Sequence, residues 1–340
     1  MPKRLSVALI GAGRIGASHA RRLAAIPECR LVLVVDRSLE RAEQVAQSLG
    51  AAAANDPETA LHDPDIDAVV IATQAPSHAP LAEAAAAAGK PFFLEKPLAA
   101  DLEAGWRVVE AVRRYGTPGQ VGFQRRFDPP YVEARRRIDA GELGRLEGFR
   151  AVGRDPSPPP LDYLLGSGDL LVDMGIHDLD SARFLVGEVA SVHAVGGALA
   201  VPELAEHGLV DTAVATLRFE NGAVGTLEVA LRTVYGYEIR AEVLGERGRL
   251  LIETDRRPDL LVYGEQGGSF DRPRNFEERF EQAYRLELAE FVARVRSGAE
   301  LSPDPLDAWL SLRLAFAAQH ALRSGETVAV SEFGPAGIPE

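Results

Sequence analysis

The stretch Leu5-Ser6-Val7-Ala8-Leu9-Ile10-Gly11-Ala12-Gly13-Arg14-Ile15-Gly16 reads as a short buried strand, a glycine turn and the first turn of a helix. Gly11, Gly13 and Gly16 stand in the spacing G-x-G-x-x-G. Gly11 lets the chain turn tightly out of the strand, Gly13 leaves the backbone open to a pyrophosphate, and Gly16 lets helix and strand pack closely. The first helical N–H groups, around Arg14 and Ile15, then face an anion. Glycine turns are common, so the context carries the weight. A second apolar run, Leu31-Val32-Leu33-Val34-Val35, ends in Asp36, twenty residues after Gly16. A carboxylate there accepts from adenosine ribose hydroxyls and repels a 2′-phosphate, which favours NAD over NADP. Arg37 works against that preference, because a guanidinium can take a phosphate. The expected ligand is a dinucleotide; the competing reading is a purely structural turn.

The chain has 340 residues, which suggests two domains. Hydrophobic residues make up 46% and charged residues 26%, enough for ordinary cores. The formal net charge of −13 gives no electrostatic footprint for nucleic acid or an anionic membrane. Arg135-Arg136-Arg137 reads as a solvated helix face. With Cys29 as its single cysteine, the chain forms no internal disulfide and no cysteine-based zinc cluster, in keeping with a reducing, cytoplasmic setting. Lys3 and Arg4 before an apolar run imitate a signal peptide, but the run is short and leads into the glycine turn, so it reads as the first strand. No apolar stretch is long enough to span a bilayer.

Over residues 1–123 strands and helices alternate, the mark of a doubly wound parallel sheet, a Rossmann domain. Ile15, Leu23 and Ile26 share a helical face with His19, which reads as a packed histidine. A helix over 38–49 starts at Ser38, and a strand Asp67–Thr73 leads into Thr73-Gln74-Ala75-Pro76-Ser77-His78. Ligands of open α/β sheets collect at strand ends, so Thr73, Gln74 and His78 are expected beside the cofactor. The alanine-rich run 79–88 is a plain helix. Phe92-Phe93-Leu94 is a short strand ending in Glu95-Lys96-Pro97, a charged pair at a cofactor-facing position. Helix 101–115 and strand 118–123 complete this half.

From 124 to 340 the pattern becomes α+β with a large, mainly antiparallel sheet. A helix covers 131–141, strands 211–219 and 223–231 flank an Asn221-Gly222 turn, strands 236–244 and 249–253 follow, and helices cover 277–298 and 305–323. Between the prolines 156–160 and this sheet lies Gly166-Ser167-Gly168-Asp169-Leu170-Leu171-Val172-Asp173-Met174-Gly175-Ile176-His177-Asp178-Leu179-Asp180. Read as one helix over 173–186, it puts Asp173, His177 and Asp180 on one stripe and Ile176, Leu179, Ala182 and Val186 on another. An acid four residues before a histidine can orient the imidazole. Oxidation of a CH–OH group needs such a base, since the hydroxyl proton must leave as hydride departs; histidine, with a pKa near ~6.5, can take it. A lysine ammonium near the same oxygen steadies developing negative charge, and Lys96 is the candidate. The alternative is a polar helix face with an ordinary ion pair. A metal site at Asp173, His177 and Asp180 lacks the usual ligand spacings, so none is expected.

The glycine turn, Asp36, Glu95-Lys96-Pro97 and Asp173-x-x-x-His177-Asp178, in this order, resemble the Gfo/Idh/MocA oxidoreductases over nearly the whole chain. Gly122-Phe123-Gln124-Arg125-Arg126-Phe127-Asp128 and Arg154-Asp155-Pro156 are similar to segments of its inositol-oxidising branch. The resemblance implies NAD-dependent oxidation of a ring hydroxyl of a small polyol or sugar, and a second-domain sheet used in homo-oligomer contacts, dimer or tetramer. It implies His177 as general base, Asp173 as its partner and a substrate contact, Lys96 as the bridge between cofactor and substrate, and Arg126 on substrate hydroxyls. Asp155 is a further candidate substrate contact, and Tyr235 and Tyr237 lie where the sheet could supply others, packing being the commoner role of a strand tyrosine. It also implies a cis Lys96-Pro97 bond. Two departures from the family pattern are Thr73-Gln74-Ala75, where Thr-Pro-Asn is usual, and Gly153-Arg154-Asp155, where many inositol dehydrogenases carry His-Arg-Asn. A dinucleotide-binding sensor without turnover, and an oxidoreductase acting on C=C, C=N or C–N bonds, are the alternatives.

Overall fold

A computed structural model describes residues 4–167, 169–253, 262–264 and 267–334. Lys3 and Gly168, both part of the sequence reading, lie outside the described residues. The chain forms two compact units, one holding Met1–Gln124 and Gln282–Leu310, the other Arg125–Glu281 and Ser311–Gly334.

The first unit is built on six strands: β1 (Leu5–Ile10), β2 (Cys29–Val35), β3 (Ala52–Ala54), β4 (Ala68–Ile71), β5 (Phe92–Glu95) and β6 (Gly119–Gly122). Their order is β3-β2-β1-β4-β5-β6, and every pairing is parallel. The chain builds outward from β1 to β3, then returns to the other side of β1 with β4. That reversal leaves a crevice at the strand ends, the ligand position of this fold. β1 and β4 are buried along their whole length, as unbroken apolar runs demand of central parallel strands. Helix Leu39–Gln47 starts at Ser38, whose hydroxyl accepts from Arg41 N at 3.3 Å. Helix Leu102–Tyr115 is capped by Asp101, which accepts from Ala104 N at 2.7 Å, and ends at Gly116 in a left-handed conformation. The alanine-rich segment is helical over His78–Ala87 and buries Ala82, Ala85 and Ala86 completely.

Residues 282–310 group with this first unit, whereas the change of sequence pattern assigned everything after 123 to the second. The reason is burial: Leu288, Phe291, Val292 and Leu301 complete the core of Leu5, Val7, Leu9, Leu23 and Phe93. Phe291 meets Phe93 edge-on at 5.9 Å.

The second unit carries β7 (Leu146–Arg154), β8 (Val189–Gly197), β9 (Thr212–Phe219), β10 (Val224–Ala230), β11 (Glu238–Gly245) and β12 (Gly248–Glu253). A separate hairpin pairs β13 (Val262–Gly264) with β14 (Gly267–Ser269), and β15 (Val328–Ala329) joins the main sheet at its edge. The sheet runs β12-β11-β7-β10-β9-β8-β15; only β7 and β10 pair in parallel. The β9–β10 hairpin turns at Asn221-Gly222, where Asn221 accepts from Ala223 N at 3.0 Å and Gly222 has φ +87°. Along β9, Ala213, Ala215, Leu217 and Phe219 point inward and the alternate residues outward.

The single helix expected over 173–186 is two. Leu170–Asp173 begins at Asp169, which accepts from Leu171 N at 3.1 Å; Ile176–Leu185 follows after Met174 and Gly175. At the join Gly175 N donates to Leu170 O across five residues. A Cβ on Gly175 would stand 3.0 Å from both the Cα and the O of Leu171, so the close approach depends on glycine. The helix Phe276–Ser297 is likewise interrupted, at Phe280.

Candidate functional site

In the first unit the glycine turn has the geometry its spacing implies. Gly11 has φ +103°, and a Cβ there would lie 2.4 Å from Ala72 O. A Cβ on Gly16 would lie 1.8 Å from Gly11 O, while one on Gly13 meets nothing within 4 Å. The two outer glycines are therefore packing requirements, and the middle one leaves an open approach to the backbone. Gly13 is the N-cap of helix Arg14–Ala25 and provides no side-chain cap, so the first N–H groups are left to another acceptor. Arg14 is exposed and Ile15 half-buried.

Asp36 ends β2 with its carboxylate turned to the glycine turn: Oδ2 accepts from Ala12 N and Oδ1 from Ser38 N, each at 2.9 Å. Arg41 adds a longer contact at 3.5 Å, and Arg37 is exposed. An anion-receptive helix start beside a carboxylate held at the next strand end fits the pyrophosphate and ribose of NAD.

Thr73 is half-buried and Gln74 exposed after β4. His78 lies beneath them, 1% exposed, with Nδ1 2.7 Å from Pro97 O and Nε2 3.1 Å from Thr73 O. Its ring sits between the two turns, and burial lowers its pKa, favouring the neutral form, whose single N–H donates to one of these carbonyls. The Lys96-Pro97 bond is cis. Glu95 is held from both sides: Oε1 lies 2.5 Å from His19 Nε2, and Oε2 accepts from Lys96 N at 3.2 Å. Burial pushes the Glu95 carboxyl up, but the His19 hydrogen bond and the charges of His19, Lys96 and His78 outweigh it and leave the pKa lowered.

In the second unit His177 is the second residue of helix Ile176–Leu185, and its carbonyl accepts from Ser181 Oγ at 2.7 Å. Asp173 ends the preceding short helix, and Tyr163 Oη donates to its Oδ2 at 3.4 Å. The residues just after His177 anchor the helix. Asp178 pairs with Arg125, both nearly fully buried, and the carboxylate raises the pKa of that guanidinium against the desolvation that opposes its charge. Arg126 grips Asp180 with two bonds, Nε–Oδ2 at 2.9 Å and Nη2–Oδ1 at 2.6 Å, and Ser311 Oγ donates to Asp180 Oδ1 at 2.8 Å. Asp128 pairs with Arg279 at 2.8 Å. Asp180 shares helix Ile176–Leu185 with His177 and is held by Arg126 and Ser311, while the break at Met174-Gly175 takes Asp173 out of the single-helix register that the sequence reading gave all three. The segment 125–128, whose Arg126 was expected on substrate hydroxyls, reaches the His177 helix through Arg125 and Arg126. The signal available in the sequence was charge matching: adjacent arginines at 125–126 against acids at 178 and 180.

Asp155 is half-buried, its backbone bonded to Ala230 O and Thr233 Oγ1. Tyr235 lies in the turn before β11 and not on the sheet itself; its hydroxyl accepts from Arg154 Nη1 at 2.7 Å and donates to Glu238 Oε2 at 2.6 Å. Among the described residues no cluster of acids, histidines and cysteine has the makings of a metal site, and no helix is long and apolar enough to cross a membrane.

The chain belongs to the Gfo/Idh/MocA oxidoreductases. Residues 5–123 match the oxidoreductase family with an NAD-binding Rossmann fold, and residues 131–251 match the GFO/IDH/MocA C-terminal domain. It is therefore an oxidoreductase whose cofactor is NAD. Among its relatives, the scyllo-inositol 2-dehydrogenase (NAD(+)) of Bacillus subtilis is 40% identical, covering 96% of this chain and 97% of the relative. The myo-inositol 2-dehydrogenase of Thermotoga maritima is 36% identical over 96% and 99%. Among solved structures, the scyllo-inositol dehydrogenase of Lactobacillus casei with bound NAD(H) and scyllo-inositol superposes with a TM-score of 0.90 at 28% identity, over 97% of this chain and 100% of that one.

Proposed function

We propose that this protein is an NAD-dependent dehydrogenase of myo-inositol, scyllo-inositol or a closely related cyclitol, converting one ring hydroxyl to the ketone. The observation that carries the reading is the presence of Lys96, Asp173 and His177, with the glycine turn and Asp36, in a chain that matches two inositol 2-dehydrogenases almost end to end. NAD, when bound, supplies the hydride acceptor. His177 takes the hydroxyl proton as the C–H bond gives up hydride. Lys96 orients that oxygen and steadies its growing negative charge. Asp173 orients the imidazole and stabilises its protonated form. Arg126, Asp155 and Tyr235 are proposed to recognise hydroxyls farther from the reacting carbon. Gly11, Gly13, Arg14, Ile15, Asp36, Arg37, Thr73, Gln74 and Glu95 are proposed to form the NAD site, with His78 supporting it from below.

The purified protein, supplied with NAD and a panel of inositols between pH 7 and 10, is expected to form NADH, read by absorbance. No NADH with any of them refutes the reading, and tight NAD binding without turnover would mark a sensor. We further propose a cytoplasmic homo-oligomer, dimer or tetramer, assembled through the outward face of the seven-stranded sheet. Support comes from exposed Val195, Val214, Val224 and Leu244 on that face. Light scattering of the purified protein decides it.

A further inference from the structure

His19 is fully buried, yet it is spent on a carboxylate. Its ring is set edge-on against Phe93 at 5.7 Å and Tyr284 at 5.8 Å, which fixes its plane. Nε2 meets Glu95 Oε1 at 2.5 Å, and the other oxygen of Glu95 takes the Lys96 amide at 3.2 Å. The carboxylate is thus a bridge with an imidazole on one oxygen and the Lys96 backbone on the other. His19 sits on helix Arg14–Ala25, whose start is the glycine turn. A leucine would fill this position without desolvating a polar ring, so the histidine answers a need of Glu95.

The surroundings assign the charge. From Gln282–Leu310 comes Glu287, fully buried, with neither carboxyl oxygen hydrogen-bonded. Burial of Glu287, with the charge of Glu95 adding to it, raises its pKa well above the ordinary glutamate range, and no hydrogen-bond donor offsets that. Glu95, with two donors, carries the charge. The other charged or titratable groups around the pair are Lys96 and His78 toward Glu95, and Arg22 toward Glu287, its guanidinium lying 4.8 Å over the Tyr284 ring.

We propose that His19 is a positioning residue: through Glu95 it locks the Lys96 backbone to the helix that begins at the dinucleotide turn. The kinetic half of the test rests on the proposed dehydrogenase reading; the exchange half does not. The NAD-loaded full chain is compared with His19→Leu, His19→Asn and His19→Gln, Asn being too short to reach Glu95 and Gln able to donate to it. Amide hydrogen exchange of the peptide spanning 93–99 is expected to speed up at least tenfold in His19→Leu and His19→Asn and to stay near wild type in His19→Gln. Inositol oxidation is expected to lose at least tenfold in kcat in the first two, with NADH affinity within threefold and kcat largely recovered in His19→Gln. Unchanged exchange in both His19→Leu and His19→Asn overturns the proposal, as does a His19→Gln variant as impaired as His19→Leu. A loss confined to NADH affinity does the same. If wild type turns over no polyol, the dehydrogenase reading fails, and the exchange result alone decides the role of His19.

Discussion

Replacing Asp178 by alanine removes one member of a pair in which Arg125 is 2% and Asp178 1% exposed. The guanidinium is left charged, buried and uncompensated. Burial cannot neutralise it, because arginine stays protonated under any condition in which the protein folds. Breaking such a pair costs about 3–5 kcal/mol. For a unit of roughly 150–250 residues each kcal/mol moves the melting temperature by about 2–4 °C, so the expected loss is about 6–20 °C. The same variant should depress inositol oxidation, because Asp178 follows His177 directly on the helix. Thermal unfolding by circular dichroism, with and without NAD, measures the first effect. The double variant Arg125→Met with Asp178→Leu is the control, since replacing both charges by apolar groups is often neutral or stabilising. Glu133, whose bonds to Arg136 and Arg137 lie on the surface, is the second control and should leave the melting point unchanged on substitution. An Asp178→Ala protein that melts within 2 °C of wild type (about 1 kcal/mol or less) would refute the view that this pair anchors the His177 helix.

His177→Ala should lower kcat for inositol by about 10²–10⁴ and leave NAD binding intact, as stopped-flow and fluorescence titration would report; activity that persists would point to chemistry at a C=C, C=N or C–N bond. Asp36→Ala should relax the preference for NAD toward NADP, read as the ratio of kcat/KM values; an unchanged ratio removes Asp36 from cofactor choice. Burial, with the Glu95 charge adding to it, raises the Glu287 pKa well above the ordinary glutamate value. Below about pH 4.3 the folded and unfolded forms are both protonated and there is no penalty; above it only the unfolded form ionises, so stability is lost as pH rises. Glu287→Gln should therefore raise the melting temperature at pH 7–8 and have no such effect near pH 4, and an equal effect at both would refute the assignment.

Much of this protein was legible one residue at a time. The glycine spacing and Asp36 are local geometry: a turn, a close approach and a strand end each demand particular residues, and neighbours in sequence supply them. The Asn221-Gly222 hairpin was legible for the same reason, its left-handed turn needing glycine at 222. What required the tertiary structure was every decision made by partners distant in the chain. His19 read as packing until β5 brought Glu95 to its ring, 76 residues away in sequence. Arg126 was expected on substrate hydroxyls, and its bonds to Asp180, like those of Arg125 to Asp178, appear only once helix Ile176–Leu185 presents the two acids. The residues of 282–310 carry a helical pattern that suits either half, and only their packing against Leu9, Leu23 and Phe93 claims them for the first unit. Periodicity tells which face of an element is buried; which charge meets which inside that face depends on packing that no single segment contains.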